Sequence, residues 1–420
     1  MPFGRARRVR VFPASEVTRR SDLEVDPQDV GLAPGAVEAI WKAVEVFYGT
    51  GLQPAMSLCL RHRGQIILDR AIGHIRGNEP GAPEQGPRVQ ATPDARFSLF
   101  SASKVVVAML VHLFDDRGLL HLDDAVAEYI PGFGKHGKHR MTLRHVLTHR
   151  AGIPTVPGDS LDLDLLSDHE EMVRIMCDAK PQSLAGRRLA YHAITGGFVL
   201  AEVLKRVTGK GVGELVDEEL RAPLGFEGFT YGVSADALDD VAPNVFTGPL
   251  PPKPYGWLLE RSFGVRIEEA VRLSNDPRFV TAVIPSANLY STAEETCRFF
   301  ELLLREGELG GVRVFSPRTV RRALVEQTYL ELDTTLMMPV RYGMGFMLGG
   351  ERISPYGAGT PRAFGHIGFT NVLVWADPER ELSVAFLNNG KPFITLRLLR
   401  WLAVAHAISK HIPRCTTPRI

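Results

Sequence analysis

Strand-like text occurs at both ends of this chain and hardly at all in the middle. "AMSLCLRHRGQIILDRAIG", residues 55–73, alternates and runs apolar like two strands joined by a turn at Arg63-Gly64. "FGHIGFTNVLVWADPERELSVAFLNN", residues 364–389, reads as two strands around an Asp-Pro turn. Between them the pattern is helical: Ser101 to Phe114, "LDDAVAEYI", "TLRHVLTH", "ITGGFVLAEVLKRVTG" and "VGELVDEELRAPLGF". A helix over "APGAVEAIWKAVEVFYGTG", another over "STAEETCRFFELLLREG" and a last one from about Pro392 to His411 flank the strands. The reading is therefore a discontinuous α/β domain over 31–100 and 280–420, a mainly helical domain over 101–279 and an N-terminal extension over 1–30. Pro- and Gly-rich connections, "RAGIPTVPGDS" and "FTGPLPPKPYG", fall in the helical part and read as loops that cover a pocket.

At 420 residues the chain exceeds one simple core. Its 49 Lys+Arg balance 48 Asp+Glu, so neither nucleic acid nor an acidic membrane is indicated, and a small molecule is the expected partner. No run of about 18 apolar residues occurs and the N-terminus lacks the apolar core of a secretory signal, which reads as a cytoplasmic protein. Cys59, Cys177, Cys297 and Cys415 lack paired metal spacing and read as reduced, mostly buried thiols.

"FSLFSASKVVVAML", residues 97–110, places a lysine at the head of an apolar helix, three residues after a serine. Positions i and i+3 share a helix face, so Lys104 can meet the Ser101 oxygen. A serine hydroxyl is a weak nucleophile until a neighbouring base takes its proton, and lysine serves as that base when burial lowers its pKa. The spacing alone also fits a surface lysine beside a helix capped by Ser98 or Ser101. Ser101/Lys104 is, however, the one Ser-x-x-Lys pair in the chain.

From here the sequence resembles a family. Ser101-Ala102-Ser103-Lys104, then "LDDAVAEYIPGF", "MTLRHVLTHRAGIP", "AGRRLAYHAITGGFVLAEVLKRVTG", "NLYSTAEETCRFFELLLREGELGGVRVFSP", "RYGMGFMLG" and the segment 364–389 follow in the order seen in serine hydrolases related to class C β-lactamases, and look most like family VIII carboxylesterases over about residues 33–410. The resemblance implies an α+β fold of the β-lactamase and penicillin-binding-protein kind, an antiparallel sheet flanked by helices plus a mainly helical domain. It implies that Ser101 is acylated, that Lys104 assists, and that Tyr191, in Tyr191-His192-Ala193, is general base or proton shuttle. An ammonium beside the phenol would favour its phenolate. The backbone N–H groups of Ser101 and Phe369 would form the oxyanion hole, with His366 and Gly368 on the substrate side.

Two departures bear on substrate. Ala193 stands where the family carries Asn, and His366-Ile367-Gly368 stands where β-lactamases carry Lys-Thr-Gly. Losing an amide and a cation disfavours anionic amide substrates, so hydrolysis of short-chain acyl esters without a cofactor leads. β-Lactamase, D-amino acid peptidase and acyltransferase activity on the same scaffold are the alternatives, and a non-catalytic binding or scaffold protein is the alternative of another class. A homo-oligomer is left open, and His366 either meets substrate or Tyr191 or simply ends a strand. "GDSL" at 158–161 lacks the strand and partner motif of its esterase class. "GFGKHG" at 132–137 reads as a loop, not a dinucleotide fingerprint, and "KHGKHR" as a solvated basic face. No histidine spacing predicts a metal site.

Overall fold

In the computed structural model of the chain, residues 7–157, 162–250, 265–393 and 399–415 are described. The GDSL motif, residues 251–264 of the Pro-rich covering loop and residues 394–398 of the expected last helix lie outside them.

One large antiparallel sheet organises the molecule. Its strands are β1 (Thr18–Arg20), β2 (Ala55–His62), β3 (Gln65–Arg76), β4 (Thr328–Asp333), β5 (Met338–Tyr342), β6 (Met347–Leu348), β7 (Phe364–Gly368), β8 (Val372–Asp377) and β9 (Leu382–Asn388), in the spatial order β1-β3-β2-β9-β8-β7-β6-β5-β4. A short strand, Val89–Gln90, also pairs with β3. The β2–β3 turn falls at Arg63-Gly64 as the sequence predicts, with φ of 52° and 85°, the left-handed pair that suits a two-residue hairpin. β2 and β9 close the centre of the sheet, with Leu382 opposite His62 and Asn388 opposite Met56.

The helices named below are α1 (Ala36–Tyr48), α2 (Ser103–Asp116), α3 (Thr195–Thr208), α4 (Ala293–Leu304) and α5 (Arg400–His411). Alternation along the strands sends Leu58, Leu60, Leu373, Trp375 and Phe386 to one face, where they meet Ile40, Val44 and Phe47 of α1 and Val404 and Ile408 of α5. Cys59, Val374, Ala376 and Ala385 point to the other face, against Cys297 and Phe300 of α4. Burial on both faces explains why β8 and β9 are apolar at nearly every position: all their residues are buried. In α2 every residue from Ser103 to Phe114 is buried, the pattern of a helix surrounded by protein. It packs against α3 and against the short helix Pro317–Ala323.

Several expectations need correction. Residues 364–389 make three strands, not two, because a tight turn at Phe369–Asn371 precedes the one at Asp377-Pro378. Neither Ser98 nor Ser101 caps α2: a 3-10 turn, Phe100–Ala102, leads into it, and its N-cap, Ala102, has no side-chain hydrogen bond. The GFGKHG segment forms 3-10 turns broken at Lys135–Gly137. Within KHGKHR, Lys138 is buried and not solvated, because its amine donates to the carbonyls of Cys177 at 2.9 Å and Ala179 at 2.5 Å at the C-terminal end of helix His169–Asp178. Cys59, Cys177 and Cys297 are buried free thiols, while Cys415 is partly exposed. Among the described residues no helix is long and apolar enough to cross a membrane.

Candidate active site

Ser101 lies where the short strand Phe97–Ser98 turns into α2. That strand is fixed by pairing with Leu289–Ser291, and the Leu99 N–H donates to the Leu289 carbonyl at 2.8 Å. Phe100, immediately before the serine, has φ of +46°, a left-handed conformation that a bulky residue adopts only when its surroundings impose it. Its ring packs on Phe369 at 5.2 Å between centroids.

One turn along α2, the Lys104 amine donates to Ser101 Oγ at 3.1 Å and to the Ser286 carbonyl at 2.9 Å. The residue is buried, and burial pushes its pKa down to about 7. Near neutral pH a large share of the amine is therefore free base, hydrogen-bonded to the one hydroxyl it would deprotonate. Ser286 is itself fixed: its hydroxyl donates to the Ile194 carbonyl at 3.0 Å and accepts from the Gly197 N–H at 3.1 Å. A Cβ on Gly197 would stand 2.2 Å from that hydroxyl oxygen, so α3 approaches Ser286 only with glycine there.

Tyr191 faces the same pair. The Lys104 amine is 5.0 Å from the centre of its ring, and its buried hydroxyl has no hydrogen-bond partner of normal geometry. Burial pushes its pKa up, with Ser101 drawing it down less strongly and Asp333 adding to the rise. Burial therefore works against the phenolate that a neighbouring ammonium would favour. The Tyr191 N–H is held by Asp333 Oδ1 at 3.0 Å, and the same oxygen accepts from Thr335 at 2.8 Å and Leu336 at 3.0 Å.

Three buried histidines surround this group. His366 keeps its ring close to Tyr191, 6.1 Å between centroids, and its Nδ1 is 2.7 Å from the Ile367 carbonyl. The His149 ring lies tilted against Tyr191, 4.6 Å between centroids, and its Nδ1 accepts the His192 N–H at 3.2 Å. Burial, reinforced by the Lys104 charge, pushes His366 down to about 3 and His192 to about 4, and takes His149 well below its usual value. All three are neutral at working pH. A cavity of about 20 Å³, room for one water, lies between Lys104, His149, His192, His366 and Gly345.

Gly368 ends β7 where a Cβ would be 2.2 Å from the Leu99 carbonyl, which brings that strand end, and Phe369 after it, against the turn that carries Ser101. The structure therefore gathers Ser101, Lys104, Tyr191, His366, Gly368 and Phe369 in one place. Sequence reasoning missed Ser286, Asp333 and His149, whose contacts leave no local pattern. Among the described residues no group of three or more His, Cys, Asp or Glu is arranged to hold a metal ion.

The family described as Beta-lactamase matches residues 42–408. "Esterase/beta-lactamase LipL" of Mycobacterium tuberculosis is 31% identical over 307 residues, 70% of either chain. Among solved structures, a penicillin-binding protein homolog from Caulobacter crescentus superposes with a TM-score of 0.76 at 26% identity, covering 91% of this chain and 99% of that one. A family VIII carboxylesterase gives 0.75 at 23% identity, covering 89% and 98%.

Proposed function

The chain belongs to the beta-lactamase family and is a serine hydrolase, and from that premise we propose that it is a carboxylesterase that cleaves uncharged, short-chain acyl esters through a Ser101 acyl-enzyme. The observation that carries the proposal is the buried Lys104 amine, held on Ser101 Oγ at 3.1 Å with a pKa of about 7.

Lys104, as free base, takes the Ser101 proton while Oγ attacks the ester carbonyl. The N–H groups of Ser101 and Phe369 receive the negative charge that develops on the carbonyl oxygen, a stabilisation typically worth about 3 kcal/mol per donor. Collapse of the tetrahedral adduct expels the alkoxide, which takes its proton from the Lys104 ammonium through the Tyr191 hydroxyl. Water then attacks the acyl-enzyme with the same groups as base, the acid leaves, and Ser101 regains its proton.

Two features support an uncharged substrate. His366, where β-lactamases carry a lysine, is neutral and holds the Ile367 carbonyl, so no ammonium there awaits a carboxylate. Ala193 offers no side-chain amide to a substrate peptide group.

Hydrolysis of p-nitrophenyl butyrate by the wild type and Ser101→Ala, side by side, tests the reading. Turnover in the first and background in the second is expected. Equal rates in the two, or nitrocefin consumed while the ester is not, overturns it.

A further inference from the structure

Lys391 is fully buried, follows β9, and takes no part in the chemistry above. Its backbone N–H is anchored on the Val245 carbonyl at 2.7 Å. Its amine donates to Asn388 twice, to the backbone carbonyl at 2.7 Å and to Oδ1 at 3.2 Å, and lies 5.0 Å from the centre of the Phe100 ring. Resting on the proposed acyl-enzyme reading, we propose that Lys391 is a positioning residue that holds the two halves of the oxyanion hole in register with each other.

The two halves share an unusual construction. Ser101 follows Phe100 and Phe369 precedes Thr370, and both Phe100 and Thr370 are non-glycine residues in the left-handed region, with φ of +46° and +61°. The Ser101 donor thus directly follows, and the turn that carries Phe369 contains, a backbone conformation that costs on the order of 1–3 kcal/mol and persists only where neighbours enforce it. Lys391 reaches both neighbours. On one side its amine sits over the Phe100 ring, which itself packs on Phe369. On the other it acts through Asn388, whose Nδ2 donates to the Asn371 carbonyl at 2.9 Å. The Asn371 N–H closes the turn on the Phe369 carbonyl at 2.9 Å, and Thr370 Oγ1 donates to Asn371 Oδ1 at 3.0 Å.

A lysine ammonium has donors and no acceptor, and Lys391, donating to both Asn388 oxygens, dictates which end of the Asn388 amide faces it. With Oδ1 claimed by Lys391, Nδ2 must point at Asn371. A methionine of similar length would leave Oδ1 buried without a partner and the amide free to turn over. Burial pushes the Lys391 pKa well below its usual value, so the residue is a cost to the core rather than a gain from charge. Oxyanion donors act at hydrogen-bond range, and a misplacement of about 1 Å costs on the order of 10²-fold in rate.

The test is Lys391→Met, Asn388→Ala and the double variant, each assayed with p-nitrophenyl butyrate and for the rate at which an alkyl fluorophosphonate labels Ser101. In Lys391→Met, kcat falls roughly ten- to a hundredfold with KM within about twofold of wild type, labelling slows in parallel, and Tm does not fall. The double variant is no slower than the slower single variant, because both substitutions break one chain of contacts. If Lys391→Met does not fold, Lys391→Gln, which keeps an N–H donor, carries the test with a smaller loss of kcat at unchanged KM. Wild-type kcat in the Met or Gln variant, or losses that multiply in the double variant, overturns the inference and leaves the Ser101 chemistry standing. An unsubstituted enzyme that neither turns over the ester nor labels at Ser101 marks failure of the function itself, and the inference falls with it.

Discussion

At pH 6 the Lys104 amine, with a pKa near 7, is mostly protonated inside a core that gives it two oxygen acceptors, Ser101 Oγ and the Ser286 carbonyl. In the unfolded chain the same group titrates near 10.5. Between pH 7 and 10.5 the unfolded state therefore binds more protons, and stability rises with pH across that window. Below pH 7 the full penalty applies, about 5 kcal/mol at roughly 1.36 kcal/mol per unit. Lys104→Met is expected to melt several degrees higher than wild type at pH 6, with a smaller advantage at pH 9, while losing at least about a hundredfold in kcat/KM. Wild-type kcat/KM should climb with pH through about 7 as the amine is freed. Thermal scans and pH–rate profiles check both, and a variant less stable than wild type at pH 6 contradicts the account. Ser101 and Lys104 were legible because they share one helical turn, and Tyr191 because it opens a short motif. Ser286 and Asp333 were not, since their contacts span 182 and 142 residues and no periodicity marks them.

The hairpin of β4 and β5 shows how an element at the sheet's outer edge governs the site. Asp333 ends β4, and one of its oxygens takes three N–H groups, those of Tyr191, Thr335 and Leu336. Asp333→Ala strands those donors in a buried place, which is expected to cost about 2–4 kcal/mol and to lower kcat roughly tenfold as Tyr191 loosens. Asp333→Asn keeps an acceptor oxygen and should recover most of the stability. Melting temperatures together with kcat for the pair check this; an Ala variant with wild-type kcat would detach the hairpin from catalysis. Among elements, long amphipathic helices and the Arg63-Gly64 hairpin were readable from periodicity and turn chemistry. The segment 364–389 was misread as two strands because its first turn bends at Thr370, a residue type that carries no turn signal in the left-handed conformation it takes here. Lys138 was misread as solvated because a charged run looks the same whether or not one member caps a helix.

Across the whole molecule, four of the five imidazoles buried among the described residues make folding strongly sensitive to acid. His112 and His192 are pushed down to about 4, His366 to about 3, and His149 well below its usual value, all by burial. Their unfolded values lie near 6.5, so each contributes stability above pH 6.5 that is lost as pH falls toward the folded value, up to about 1.4 kcal/mol per pH unit. Asp69, raised to about 7 by burial, works in the opposite direction and offsets part of this. The urea midpoint should drop steeply from pH 6 to pH 4; a flat profile would mean that the histidines are hydrated and protonated in the folded state. The pairing of β2 with β9 bears on how the protein is made. Leu382 lies opposite His62, so 320 residues separate the two strands that meet at the middle of the sheet. At about 5–20 residues per second, a ribosome needs on the order of tens of seconds between them. Throughout that interval β2 is paired with β3 alone and its other edge, which β9 will cover, is open, and a two-stranded hairpin is marginal by itself. Recovery of the enzyme from a producing cell is therefore expected to depend on the holding capacity of its chaperones and the pace of translation as well as on the finished fold.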